Sequence, residues 1–254
     1  SLHDLMHTNI ISVVPEEDQE EVARLSSKYD LSVVPVVSTK GVLIGIITID
    51  DIVHVLQEEH HEDMLLISGV EGSERIGGPF MESIKKRTPW LLINLITAFM
   101  ASAVVGMFQS TIEQVVVLAV AMPIITGMGG NSASQTLALA IQEIALGQLS
   151  LEKDKKYVWN EIVLGCMNGL ITGVVAALAL YIPYQNFYLS IIVVLAMAMN
   201  LMVGAIFGFF VPLVLKAMKL DPAISSTIFV TTATDVLGFF IFLGLANIFL
   251  PMLI

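Results

Sequence analysis

The sequence predicts an α-helical membrane protein with five transmembrane helices, preceded by a small soluble α/β module. Three observations carry this. Apolar residues make up 56% of the 254 and the mean hydropathy is +0.82, above what soluble domains show. Charge is sorted along the chain: residues 1–88 hold 16 acidic and 7 basic side chains, residues 89–254 only 7 and 5. The second part also contains charge-free runs longer than the roughly 20 residues a helix needs to cross a bilayer.

In the soluble part, IISVV (10–14), SVVPVV (32–37) and VLIGIIT (42–48) are short, apolar and β-branched, and are expected to be strands. Between the first two, EEDQEEVARLSSKY (16–29) carries Val22, Ala23 and Leu25 at helical spacing. DDIVHVLQEEHHEDMLL (50–66) predicts a second helix, with Asp50 as its cap. Gly77-Gly78-Pro79 breaks the chain, and PFMESIKKR then predicts a short amphipathic helix at the membrane surface. The expected organisation is a module over 1–70, a connecting helix over 71–88 and a five-helix membrane part over 89–254.

The spans follow from the charge-free runs. They are 88–112, 114–142, two from 162–215 split at the turn-like IPYQNFY (182–188), and 222–254, interrupted by Asp235 alone. Lys85, Lys86 and Arg87, then Lys153, Lys155 and Lys156, then Lys216 and Lys219 all fall in loops on one side. The loops near 110–114 and 183–187 hold no basic residue. The positive-inside rule therefore predicts a cell-membrane (inner-membrane) protein with a cytoplasmic N-terminus and an external C-terminus. Gly165, Gly169 and Gly173 repeat every four residues, as do Gly204 and Gly208. Such ridges let helices approach closely, within one subunit or between two.

A net charge of −11 argues against a nucleic-acid partner; the partner expected is the lipid bilayer. Cys166 is the sole cysteine, so no internal disulfide forms. The opening SLHDLM, without an initiator Met, suggests a fragment that begins partway through a longer protein. HHEDM (60–64) is not HExxH, so metalloprotease geometry is absent and no enzyme activity is expected.

Two membrane segments depart from plain lipid-facing helix. In PIITGMGGNSASQT (123–136), Pro123 and the glycines predict a helix break, with polar backbone lining a buried or aqueous path. In the last span, Thr227, Thr231 and Asp235 are spaced by four and form one polar stripe. An intramembrane carboxylate costs at least about 2.5–3.5 kcal/mol, and no intramembrane Lys or Arg can pair with Asp235. The remaining roles are a protonated carboxyl, a proton relay or a cation ligand. Carboxylate, amide, hydroxyl and carbonyl oxygens form a hard donor set that suits Mg²⁺ or Ca²⁺. A single carboxylate per chain favours a cation that keeps its waters, as Mg²⁺ does; Na⁺ and H⁺ stay open. In the soluble module, Asp50, Asp51, Glu58, Glu59, Glu62 and Asp63 form an acidic run that is either a solvated face or a divalent-cation sensor.

The strand-helix-strand-strand-helix order, with PVV (35–37) and GIITIDD (45–51), resembles a CBS-type repeat. RTPWLLINL (87–95), MPIITGMGGNSASQT (122–136), LDPAISS (220–226) and FVTTATDVLGFFIFLGLA (229–246) resemble the MgtE family of magnesium channels. The resemblance covers nearly the whole chain but lacks that family's N-terminal helical domain and first CBS repeat. It implies a homodimeric Mg²⁺-selective channel that mediates uptake, with Mn²⁺, Ca²⁺ or other divalents as further candidates. Asp235 would hold hydrated Mg²⁺, with backbone carbonyls of Gly127, Gly130 and Thr231 lining the site and Asn131 and Thr227 nearby. Glu161 and Asp221 match peripheral Mg²⁺ positions. Asp51, Glu59, Glu62 and Asp63 match cytosolic sensor positions that close the pore through the connecting helix. In nucleotide-binding CBS repeats the element at Gly45, Thr48 and Asp51 touches ribose or phosphate, so ATP is a further candidate ligand. An Na⁺- or H⁺-coupled carrier using Asp235 is the alternative to a channel.

Overall fold

The computed structural model describes residues 10–145, 149, 155–224 and 226–254, with the side chain of Lys155 excepted. The chain divides into two compact units, with the boundary between Met64 and Leu65. Residues 1–9 and Lys153 of the basic loop lie outside the described residues.

In the first unit, α1 (Gln19–Tyr29) begins at Asp18, whose carboxylate accepts from the Glu20 amide at 3.0 Å. This satisfies one of the unpaired donors of the first turn. The helix ends at Asp30, which adopts the left-handed conformation (φ 52°). Strands β1 (Val33–Val37) and β2 (Leu43–Thr48) pair antiparallel, Val33 opposite Thr48. The third expected strand, 10–14, does not form. Only Val13 bridges to the sheet, donating to Pro35 O at 3.0 Å and accepting from the Val37 amide at 2.8 Å. Pro35 lacks an amide proton, so the rim of β1 cannot support a longer ladder there. The core is Val13, Val22, Ala23, Val34 and Ile52.

Helix α2 (Ile49–Ile67) starts one residue earlier than expected, and Asp50 is not its cap. Asp51 Oδ2 instead reaches back to accept from both the Thr48 amide (3.0 Å) and Thr48 Oγ1 (2.6 Å). That is the acidic half of a capping box, an acid three residues into the helix serving the residue before it. The Thr48 hydroxyl and amide together hold the Asp51 carboxyl below its ordinary value.

The second unit is helical: α3 (Phe80–Met107), α4 (Gln109–Gln114), α5 (Val117–Ala145), α6 (Lys155–Tyr184), α7 (Phe187–Ala217), α8 (Ser226–Ile248) and α9 (Leu250–Leu253). Helices α3, α5, α6, α7 and α8 are long and apolar enough to cross a membrane. Two boundaries differ from expectation. The surface helix foreseen over 79–87 is not separate but runs through Pro89 into the first span. At about 1.5 Å per residue, the 28 residues of α3 reach about 42 Å, longer than a hydrocarbon core of about 30 Å. The short α4 turn occupies 109–114, where the first span was expected to end and the second to begin.

Ahead of α3, Glu74 is buried and its Oε1 accepts from Arg87 Nη2 at 2.9 Å. A hydrogen bond from Ser83 and then the Arg87 guanidinium keep the Glu74 carboxyl below its ordinary value. Three residues of the first two turns of α3 are thus tied to the segment before it: Arg87 and Ser83 to Glu74, and Lys86, 2.9 Å from Ser73 Oγ.

Helix α7 is the centre of this unit and packs against α5, α6 and α8, while α3 packs against α8. Its buried face supplies Leu189, Ile192, Val193, Ala196, Met197 and Leu201 to a core shared with Leu118 and Ile125 of α5 and Phe242 and Leu243 of α8. The glycine ridges answer to this arrangement. Gly165, Gly169 and Gly173 of α6 lie against the α7 backbone, and Gly204 and Gly208 of α7 lie against α5. Both ridges are therefore used inside one chain.

Candidate functional site

Helix α8 carries Thr227, Thr231 and Asp235 on one half-exposed face, while Val230, Thr234, Gly238 and Phe242 are buried against the bundle. Asp235 is the tenth of 23 residues, about 14 Å from the helix start at the usual rise, so it sits near mid-helix. Among the described residues no ion pair or hydrogen bond reaches its carboxylate. Thr231 Oγ1 donates back to Thr227 O at 2.8 Å, which uses its proton and not its acceptor capacity.

Helix α5 lies beside α8. A Cβ placed on Gly130 would stand 3.8 Å from Thr231 Cγ2 and 4.0 Å from Thr234 Oγ1, ordinary van der Waals contact. Gly127 faces open space, and Gly127 and Asn131 are exposed. The structure thus brings Gly130 and Thr231 together, on helix faces that also carry the open Gly127 and Asn131 and the stripe to Asp235. Hydroxyl, amide and carboxylate oxygens of these kinds are hard donors, the chemistry that suits a hydrated cation.

The expected break in α5 is absent. The helix is continuous from Val117 to Ala145, through Pro123 and the glycines. The backbone carbonyls of this stretch are therefore helical rather than splayed. A proline inside a helix removes one hydrogen bond, and α5 continues through it.

The glycines have another reason, which sequence reading missed. Asn200 of α7 is fully buried and donates through Nδ2 to Ile125 O of α5 at 2.9 Å. A Cβ on Gly129 would collide with Asn200 Nδ2 and Cγ, and one on Gly238 would stand 2.8 Å from Asn200 Nδ2 and Oδ1. The amide thus fills a slot cut by one glycine in α5 and another in α8. Its Oδ1 has no partner among the described residues, at a cost on the order of 1–3 kcal/mol. The available signal was a lone Asn in an otherwise apolar run, but its glycine partners lie on two other helices.

Other acids have local partners of their own. Glu161, near the start of α6, accepts from Thr136 Oγ1 at 3.2 Å and lines a cavity of about 340 Å³ with Glu143, Tyr157 and Phe209. Asp221 Oδ1 accepts from the Ala223 amide at 2.8 Å, just before α8. In α2, Glu59 Oε1 accepts from Gln19 Nε2 of α1 at 3.0 Å, and Asp51 is occupied by Thr48. Glu59, Glu62 and Asp63 share a helical face by spacing, but Asp51 lies about 12 Å further along at the helical rise. No group of three acids or histidines is gathered in metal-binding geometry among the described residues. Gly45 is open on β2; with Thr48 and Asp51 bonded to each other, the element serves the helix start.

Residues 122–245 match a family model described as MgtE, a divalent cation transporter, and residues 2–58 match a CBS domain. The chain is 32% identical over 252 residues to the magnesium transporter MgtE of Bacillus subtilis, covering 99% of this chain and 56% of the relative. It is 30% identical to that of Enterococcus faecalis (97% and 54%) and 31% identical to that of Thermus thermophilus (97% and 55%). The chain spans about half the length of the curated relatives it matches.

Proposed function

Since the chain belongs to the MgtE family of divalent cation transporters, transporters rather than enzymes, we propose that it is the pore-forming part of a Mg²⁺ channel. Two copies related by a two-fold axis place their α5 and α8 faces around one path. Asp235 attracts hydrated Mg²⁺, helped by Thr227 and Thr231 of α8 and by Gly127, Gly130 and Asn131 of α5. The observation that carries this reading is the mid-helix carboxylate without a counter-charge, on an open face of an otherwise apolar bundle. The names of the relatives specify magnesium and no nucleotide. We place the N-terminal unit in the cytoplasm and the C-terminus outside, on the strength of the basic loops, with flux inward.

Flux into liposomes carrying the reconstituted chain tests it. Uptake is expected to follow the Mg²⁺ gradient and the membrane voltage. Uptake that runs only with an imposed Na⁺ or H⁺ gradient would instead make Asp235 the coupling carboxylate of a carrier.

Cytosolic Mg²⁺ gates the pore in this reading, through Asp51, Glu59, Glu62 and Asp63 and the connecting segment, while Glu161 and Asp221 hold peripheral Mg²⁺. Like-charged carboxylates repel until a hard cation joins them. Neutralising Glu59, Glu62 and Asp63 together is expected to remove the protection that Mg²⁺ gives residues 68–79 against protease. Equal protection in the triple variant would leave the acids as a solvated face.

A further inference from the structure

The glycine slot around Asn200 lies directly behind the proposed pore wall. Ile125, which accepts from Nδ2 at 2.9 Å, is two residues before Gly127. Gly129 adjoins Gly130, whose missing side chain would stand in contact with Thr231. Gly238 follows Asp235 by three residues, one helical turn. One side chain of α7 therefore abuts both helices that carry the candidate ligands, within a turn of Gly127 and Gly130 on α5 and of Asp235 on α8.

Packing alone does not explain the residue. In an apolar bundle a leucine fills such a space without leaving an acceptor unpartnered, and Asn200 Oδ1 has no partner among the described residues. A directional bond does what a leucine cannot. It fixes the rotation and register of one helix against another, as polar residues at helix interfaces do.

We infer that Asn200 is a positioning residue that sets the spacing of α5 and α8, and thereby the shape of the face each copy presents to the path and the size of cation that path admits. This rests on the reading of those two helices as the pore wall. The scale is adequate: Mg²⁺ binds oxygen at about 2.0–2.1 Å and Ca²⁺ at about 2.3–2.6 Å. A wall shifted by a few tenths of an ångström alters which hydrated ion fits. Gly129 and Gly238 are the clearance that lets the wedge stand between the two walls.

The test measures Mg²⁺ and Ca²⁺ flux in liposomes for the full chain and for Asn200→Ala, Asn200→Ser and Gly238→Ala, with Gly244→Ala, which has open space around it, as the control. Removing the wedge, or crowding it at Gly238, is expected to lower the Mg²⁺/Ca²⁺ flux ratio by at least about threefold, with the control unchanged. Because Gly238→Ala crowds the slot rather than emptying it, it keeps the test open if the Asn200 variants fail to fold. In parallel, Gly129→Ala is expected to lower the melting temperature, and adding Asn200→Ala is expected to restore it, since the new methyl then has room. A ratio unchanged in the folded variants overturns the proposal even where Mg²⁺ flux is normal. So does a double variant no more stable than Gly129→Ala alone. A wild-type chain that passes no divalent cation overturns the channel reading, and this inference with it.

Discussion

Asp235→Asn is expected to reduce Mg²⁺ flux by about a hundredfold to a thousandfold while leaving the protein folded and inserted. The size follows from electrostatics. A carboxylate acting on a cation through one layer of water stands about 4 Å away, where each unit of cation charge contributes about 4 kcal/mol at an effective dielectric constant near 20, and a divalent ion about twice that. Each 1.4 kcal/mol corresponds to about tenfold, so losing even half of the attraction to a divalent ion costs about two to three decades. The fold is spared because the carboxylate makes no hydrogen bond or ion pair among the described residues. The neutral amide is also easier to insert into a bilayer. Dye-reported Mg²⁺ entry into liposomes, read beside size-exclusion chromatography in detergent, separates the two effects. Flux within about threefold of wild type in a folded variant would remove Asp235 from the path. Asp235→Glu is the complementary variant: it keeps the charge but pushes it about one methylene further into the path. It is expected to retain part of the flux that Asn loses.

The five spans were legible because hydropathy is a property of each segment by itself, and 18 or more apolar residues have few other uses. The polar stripe Thr227, Thr231 and Asp235 was legible for a similar reason: spacing by four on a helix fixes a shared face. What failed were inferences that treated proline and glycine as punctuation. Pro89 and Pro123 lie inside continuous helices; each removes one backbone hydrogen bond without ending the helix. The glycines at 129 and 238 are clearance for Asn200, a relation among three helices that no local window contains. The strand expected over 10–14 failed in the opposite way. Its residues have the right composition, but only Val13 finds a bridge partner. The acidic run on α2 was dense in one dimension, yet hydrogen bonds spend Asp51 on Thr48 and Glu59 on Gln19. Linear density is not a site until the fold makes it converge.

Gly169→Leu is expected to prevent assembly of the helical unit. A Cβ at Gly169 would lie 2.5 Å from Ala198 Cα and 2.7 Å from Met197 O. These are backbone atoms of α7, which cannot yield without moving the helix. Gly165 and Gly173 confront the same helix, with nearest atoms at 2.8 Å (Leu201 O) and 3.1 Å (Met197 Cβ and Val194 Cα). The ridge is thus a continuous line of backbone approach, and lifting its centre separates the helices at both ends. Overpacking a tight site costs about 1–3 kcal/mol where side chains can repack, and more where they cannot. Lipid gives no hydrophobic force to close the gap again. Gly169→Ala is expected to lower the melting temperature clearly and Gly169→Leu to leave no monodisperse protein in detergent. Gly106→Ala, with nothing within 4 Å of its Cβ, is expected to melt with the wild type. If Gly169→Leu elutes and melts as the wild type does, the α6–α7 crossing is not held by this ridge. If Gly106→Ala is equally damaging, the loss reflects helix sensitivity to any substitution rather than close approach. A difference between the two positions, at matched helix propensity, assigns the effect to contact with α7.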